Sequence, residues 1–145
     1  MKKSLTFQYT FHQMAYWATA AGIMSFATAF LLQKGFAAST VGILLASGNL
    51  LSCVFQPILA GWADRTGGNV LKWMTATLTA VSAACFLSIQ LLPLPQVVFG
   101  LLYLLGVFAF DAMNPLMNAL NVSYMTGGYT INYGLSRGMG SLAYA

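Results

Sequence analysis

Charge is scarce in this chain: its 145 residues include six Lys and Arg, two Asp and no Glu, so 6% are charged while 59% are hydrophobic. With a mean hydropathy of +0.74, a water-soluble surface is excluded and an integral membrane protein is implied. The net charge of +4 is not gathered on one face, which removes the basis for nucleic-acid binding. One histidine and two widely separated acids form no acid–base pair and no metal-spaced cluster, so the sequence nominates no enzyme, no metal and no cofactor. The two cysteines, Cys53 and Cys85, lie in separate apolar runs without paired spacing and read as small packing residues.

What the chain has instead is long apolar runs. The first, about 9–32, is long enough to cross roughly 30 Å of hydrocarbon. It follows Met1-Lys2-Lys3, as a secretory signal would. It is longer than a signal core, however, carries His12, Gln13, Tyr16 and Trp17 near its start, and shows no cleavage site, so a retained helix is expected. His12 reads as an interfacial anchor rather than a proton carrier. Further helices are expected at about 41–63, 70–92 and 96–124, and a fifth begins at about 131–145. Pro93-Leu94-Pro95 makes a stiff turn before the fourth. The fold class is therefore all-α, a polytopic transmembrane bundle of four full spans plus the start of a fifth. Lys2, Lys3, Arg65 and Lys72 fall on one side and Lys34 on the other, which puts the N-terminus in the cytoplasm.

Within the second helix Gly42, Ala46, Asn49, Ser52 and Gln56 make one small, polar stripe that is expected to face other helices or a water-filled cavity. Pro57 frees the carbonyl of Cys53 and predicts a kink. The hydroxyls of Thr75, Thr79 and Ser82 on the third helix are expected to bond back to their own helix. Between these two helices, Asp64 and Arg65 end the apolar run, since burying each in hydrocarbon costs about 2.5 to 3.5 kcal/mol, and Gly67-Gly68 allows a tight reversal. The arrangement resembles the loop between the second and third helices of the major facilitator superfamily. Asp64, Arg65 and Gly67 match its pattern, whereas the first glycine falls one residue late at Gly61 and Gly68-Asn69 replaces the usual bases. The resemblance implies a gating loop, in which the acid accepts from a helix N-terminus of the opposite half.

The fourth helix carries the most informative constellation. Asp111, Asn114, Asn118 and Asn121 are spaced to share one face. Pro115 removes the hydrogen bond to the carbonyl four residues earlier, which is that of Asp111 itself. Side chain and backbone are thus both left seeking partners at one depth, the way transporters open a helix to build a site. In the fifth helix Gly134 and Gly138 predict a closely packed face, and Arg137 needs an acceptor, within reach of Asp111 or Asn118, unless it snorkels to the interface.

Tyr-Gly-x-x-Arg-x-x-Gly-Ser-x-Ala from Tyr133 to Ala143, with Asn-Pro-x-x-Asn at Asn114 to Asn118 and Phe55-Gln56-Pro57, resembles the superfamily branch that contains the lactose, nucleoside and phenylpropionate permeases. The resemblance implies that Arg137, Asn118 and Asn114 bind substrate and that Tyr144 stacks on it. Asn118 is uncharged where the lactose permease has a glutamate, which counts against a galactoside, and Asp111 stands where that permease has an amide. Two six-helix halves are implied, so the chain is expected to be part of the N-terminal half, with the C-terminal half its missing partner. The function expected is proton-coupled symport of a sugar, nucleoside or aromatic acid across the cell membrane, with Asp111 pairing to Arg137 or carrying the proton. The competing expectation is a small membrane assembly subunit in which Asp111 and Arg137 merely pair.

Overall fold

The computed structural model describes residues 4–66 and 68–145, apart from the side chains of Asp64 and Thr66. The chain forms α1 (Thr6–Ala20), a π-helical turn (Ala21–Ser25), α2 (Ala27–Gln33), α3 (Ala38–Thr66), α4 (Gly68–Leu91), α5 (Gln96–Thr126) and α6 (Tyr133–Tyr144). α3, α4 and α5 are each long and apolar enough to cross a membrane, and α1 with α2 makes a fourth span if that pair is one crossing. α6, with 12 residues, falls short of the roughly 17 that a crossing needs. Ile43, Leu50, Val54, Ile58 and Trp62 of α3 are exposed. A row of this kind suits lipid or another apolar surface and would be untenable in water.

Two elements differ from the expectation. The first apolar run is not one helix: Phe26 leaves the helical region with φ −103° and ψ 2°, and the segments on either side of it are bent by 51°. No proline is present; the break falls at a π turn that holds Gly22, a weaker helix former than its apolar neighbours. Hydropathy is uniform through this stretch, so it carries no trace of the bend. α3, in turn, runs past Ala63 through Asp64 and Arg65 to Thr66. Once the chain has left hydrocarbon, charged residues continue a helix as readily as apolar ones. α3 and α5 both pass through their prolines, Pro57 and Pro115, without interruption.

The chain divides into two compact units. One joins the stretch up to Lys34 with the stretch from Asn121 onward. Here α1 and α6 start side by side: the Leu5 amide donates to Thr130 O at 3.0 Å and the Asn132 amide donates to Thr6 Oγ1 at 3.1 Å. Asn132 also caps α6, its side chain accepting from the Leu135 amide at 3.0 Å. Upstream, α5 ends in a Schellman turn. The amides of Gly128 and Tyr129 donate to the carbonyls of Met125 and Tyr124, Gly128 takes φ +91°, and the Tyr124 and Tyr129 rings meet edge to face at 5.8 Å.

The face that α6 turns to α1 is Ser136 and Gly140, both buried. The Ser136 hydroxyl donates to Asn132 O at 2.9 Å and so accepts from Thr10 Oγ1, 2.8 Å away. A Cβ added to Gly140 would lie 2.6 Å from Trp17 Cδ1 and 3.4 Å from Gln13 O. The expectation of close packing at Gly134 and Gly138 is corrected: both are exposed. They sit two residues away from the buried pair, about 200° around the helix, so the i, i+4 spacing was right for a stripe but the stripe is the other one.

The second unit is Gly35–Leu120. Its central member is α5, half of whose most apolar window is buried against 11% for α3. Glycines make the close approaches: at Gly106 a Cβ would lie 3.1 Å from Cys85 Cβ on α4, and at Gly100 it would touch Leu44 of α3 at 3.6 Å. Ala63, Leu71 and Leu116 join the three helices in an apolar cluster. Cys85 packs inside this unit as expected, whereas Cys53 is exposed.

Gly140→Ala is expected to lower the stability of the purified protein by about 1 to 3 kcal/mol through overpacking at the indole. Gly138→Ala, which meets nothing within 4 Å, is expected to be neutral or slightly stabilising. Thermal unfolding in detergent measures both, and equal effects would contradict the packing face assigned to α6.

Candidate functional site

In the second unit the polar groups of α5 are met from α3. Pro115 leaves Asp111 O without its intrahelical donor, and Gln56 Nε2 donates to that carbonyl at 3.3 Å. Ser52 Oγ donates to Asp111 Oδ2 at 3.4 Å. Gln56 and Ser52 lie one helical turn apart on α3, so one stripe of that helix serves both the backbone and the side chain of a single residue. Asp111 is 8% exposed, and its Oδ1 is buried without a hydrogen-bond partner among the described residues. A carboxylate in this setting is costly, which makes Asp111 a candidate functional residue.

The polar stripe expected on α3 is divided. Ser52 is buried and Gln56 half-buried against α5, while Gly42, Ala46 and Asn49 are exposed; Val41 and Gly48 complete the packed face. On α4, the Thr75 and Thr79 hydroxyls donate to Leu71 O and Thr75 O as expected. Ser82 differs, donating across to Gly106 O at 3.0 Å, because the glycine brings the α5 backbone close enough to be reached. Asn118 Nδ2 donates to Asn114 Oδ1 at 3.5 Å, a long bond between two half-buried amides on one face. Asn121, next on that face, is 5% exposed.

In the first unit the site is built around Trp17, a residue the sequence offered only as an aromatic near the start of a helix. Gln13, 1% exposed, accepts from Trp17 Nε1 at 3.1 Å and donates to the Tyr9 hydroxyl at 2.8 Å. One amide thereby fixes the indole on one side and a phenol on the other. The Arg137 guanidinium carbon lies 4.2 Å from the centroid of the Trp17 ring, within the range of a cation–π contact. Tyr144 meets the same ring at 6.0 Å, nearly perpendicular, and shares a hydrogen bond of 3.4 Å with Ser25 Oγ. Arg137 and Tyr144 are thus brought together, and the acceptor expected for the arginine is, within this unit, an aromatic face. The signal that could have found Trp17 is the missing side chain at Gly140, which leaves room for a large ring on the facing helix.

The expected gating loop is described only in part: α3 carries Asp64 and Arg65 in its last turn, Arg65 is exposed, and Gly67 and the Asp64 side chain lie outside the described residues.

The named elements among the described residues are all helices, and three of them long and apolar enough to cross a membrane, or four spans if the bent pair is one crossing, make this a multi-pass membrane protein. The MFS_1 like family matches residues 6–145, and the chain belongs to that family, within the major facilitator superfamily of membrane transporters. No curated protein and no solved structure matches the chain.

Gln56→Leu is expected to cost about 1 to 3 kcal/mol, because it orphans a buried carbonyl. In a Pro115→Ala background Asp111 O regains an intrahelical donor, and the cost of Gln56→Leu is expected to fall below about 1 kcal/mol. A double-mutant cycle on unfolding free energy measures the difference, and additive effects would remove the Gln56 role.

Proposed function

We propose that the chain forms part of a secondary active transporter of the cell membrane, its N-terminus cytoplasmic, that takes up a small polar or aromatic solute together with a proton. The observation that supports this best is the constellation of Arg137, Trp17 and Tyr144, a fixed cation beside two aromatic faces in a chain with only eight charged groups, six basic and two acidic. Arg137 holds the polar end of the solute and Tyr144 stacks on its body. The family resemblance nominates Asn114 and Asn118 as further substrate-binding residues. Asp111 is the proton carrier: it is buried, has one oxygen free for a proton, and is tied to α3 through Ser52 and Gln56, so a change in its charge alters what holds α3 to α5. Asp64, Arg65 and Gly67 serve as the gate. The C-terminal half of such a transporter closes the cavity from the other side.

Two measurements on the complete gene product test this. Ligand-induced thermal stabilisation, screened over sugars, nucleosides and aromatic acids, is expected to respond to one class and to lose that response in Arg137→Ala; a ligand at 100 times its Kd stabilises by about 2.7 kcal/mol. In proteoliposomes, Asp111→Asn is expected to abolish uptake driven by a pH gradient while leaving ligand binding within about threefold of the parent. Undiminished gradient-driven uptake in that variant would dismiss Asp111 as the coupling group.

A further inference from the structure

Asp111 has two groups that are short of donors. Its carbonyl has lost the intrahelical N–H to Pro115. Its carboxylate belongs to a residue 8% exposed, with Oδ1 buried and unpartnered among the described residues. The groups that meet them come from α3, and they stand off. Ser52 Oγ is 3.4 Å from Oδ2, against roughly 2.5 to 2.7 Å for a strong hydroxyl–carboxylate bond. The Gln56 amide is 3.3 Å from the carbonyl, outside the usual range of about 2.7 to 3.2 Å. All of these groups lie within the second unit.

Oxygens that share a metal ion stand about this far apart. With metal–oxygen distances of about 2.4 Å, neighbouring corners of an octahedron are separated by about 3.4 Å, whereas the roughly 2.0 to 2.1 Å of Mg2+ would draw them to about 2.9 Å. The spacing therefore suits an ion of the size of Na+ or Ca2+, and charge decides between these two. Ca2+ takes about six to eight oxygens and is commonly held by more than one carboxylate. Here there is one, since Asp64, the other acid of the chain, lies roughly 18 Å along α3 from Ser52. In a medium of low dielectric constant one negative charge is best met by one positive charge.

The donors are also of the right kind. A carboxylate, a hydroxyl, an amide and a main-chain carbonyl are hard oxygen ligands, and carbonyls freed in interrupted membrane helices are where transporters hold Na+. A proton would neutralise the carboxylate and leave the carbonyl freed by Pro115 as it was. An ion with several coordination positions engages both. The Gln56 amide presents Nε2 to that carbonyl. Half a turn about its last torsion presents Oε1 instead, and its former acceptor becomes a fellow ligand.

Resting on the transporter reading and deepening it, we infer that Asp111, Ser52 and Gln56 form a Na+ site between α3 and α5. The ligands are the Asp111 carboxylate, the Asp111 carbonyl, Ser52 Oγ and, once its amide has turned, Gln56 Oε1. Na+ and the proton claim the same carboxylate and exclude one another. Either neutralises Asp111, but Na+ also draws α3 and α5 together through oxygens of both helices. The other charged groups of α3, α4 and α5 are Asp64, Arg65 and Lys72, which gather at the α3–α4 corner, and the buried titratable side chains of these helices are Cys85 and Tyr103.

The test uses the complete gene product in detergent, with NaCl exchanged for KCl or choline chloride at constant ionic strength. The unfolding midpoint is expected to rise saturably with Na+ and to stay level with K+. Lowering the pH is expected to raise the apparent Kd for Na+, because a protonated carboxyl has no charge to offer. Asp111→Asn is expected to abolish the response. Two variants that keep the acid read the other ligands: Ser52→Ala removes the hydroxyl, and Pro115→Ala gives the carbonyl back its intrahelical donor. Each is expected to raise the apparent Kd about tenfold, Pro115→Ala although it puts a better helix former in place of proline. Equal responses to Na+ and K+, a Na+ response that survives Asp111→Asn, or none in the folded parent overturns the inference. Na+ affinity unchanged in both Ser52→Ala and Pro115→Ala overturns the ligand set. Uptake into proteoliposomes separates the two readings. Uptake driven by a pH gradient in a protein without any Na+ response leaves the transporter standing and the cation site refuted. Asp111-dependent Na+ binding, with no uptake of any sugar, nucleoside or aromatic acid under a gradient of either ion, leaves the cation site standing and counts against the transporter.

Discussion

A backbone group inside hydrocarbon has no water to bond to, and that constraint organises the second unit. Pro115 leaves the carbonyl of Asp111 without an intrahelical donor, and an acceptor orphaned at that depth costs several kcal/mol. The remedy is Gln56, whose amide donates to the carbonyl from α3. With Ser52 one turn away on the same stripe, α3 is committed to one rotation and one register against α5. The small residues of the contact follow: Gly48 of α3 lies where a Cβ would meet Val107 at 3.6 Å, and Gly106 of α5 allows Ser82 of α4 to reach its carbonyl. A proline that would break a soluble helix thus fixes how three apolar helices fit together.

The first unit meets a related demand with different parts. Here the buried amide is Gln13, and it uses both ends, accepting from an indole and donating to a phenol. Glutamine suits both places because it carries donor and acceptor without charge, so it can order a neighbour in a low-dielectric setting without the desolvation cost of an ion. In each unit a neutral amide on one helix stands next to a charge on another, or next to the group that holds it. Among the described residues, the charge is in this way positioned with no ion pair to an opposite charge in its own unit.

Much of this could be read from the sequence, and what could not has a physical pattern. Uniform apolar runs gave the membrane class and the long helices, because the cost of charge in hydrocarbon acts on every residue of a span. The link between Pro115 and the Asp111 carbonyl was equally open to reading, since it is a covalent fact about position i−4. The partner that takes that carbonyl was not, although Gln56 was visible on a polar stripe, because nothing in one sequence says which of Asn49, Ser52 and Gln56 turns toward α5. The bend at Phe26 was hidden for a different reason: a π turn inserts one residue without changing hydropathy. The close contact of α6 was misassigned to Gly134 and Gly138 because two i, i+4 stripes of small residues ran along the helix. Only the bulk of Trp17 on the facing helix selects Gly140 and Ser136. For the same reason the indole went unnoticed as the partner of Arg137: the signal was a space on α6, not a feature of α1.

The distribution of charge carries the argument one step further. The two acids belong to one unit and Arg137 to the other. Had the chain needed only to keep these helices inside a membrane, uncharged residues would have served better, because a buried ion pair seldom stabilises more than the apolar residues that could replace it. On the function proposed above, a buried Asp111 and a half-buried Arg137 are retained for the proton and the solute, and the supports around them differ. Asp111 is tied through long, weak bonds of 3.3 and 3.4 Å to its carbonyl and carboxylate, a setting in which gain or loss of one proton changes the balance between two helices. Arg137 rests on a Trp17 ring whose N–H is held by the buried Gln13. On the proposed function, one site responds to a charge and the other recognises one, the two tasks of a transporter that couples a proton to a solute.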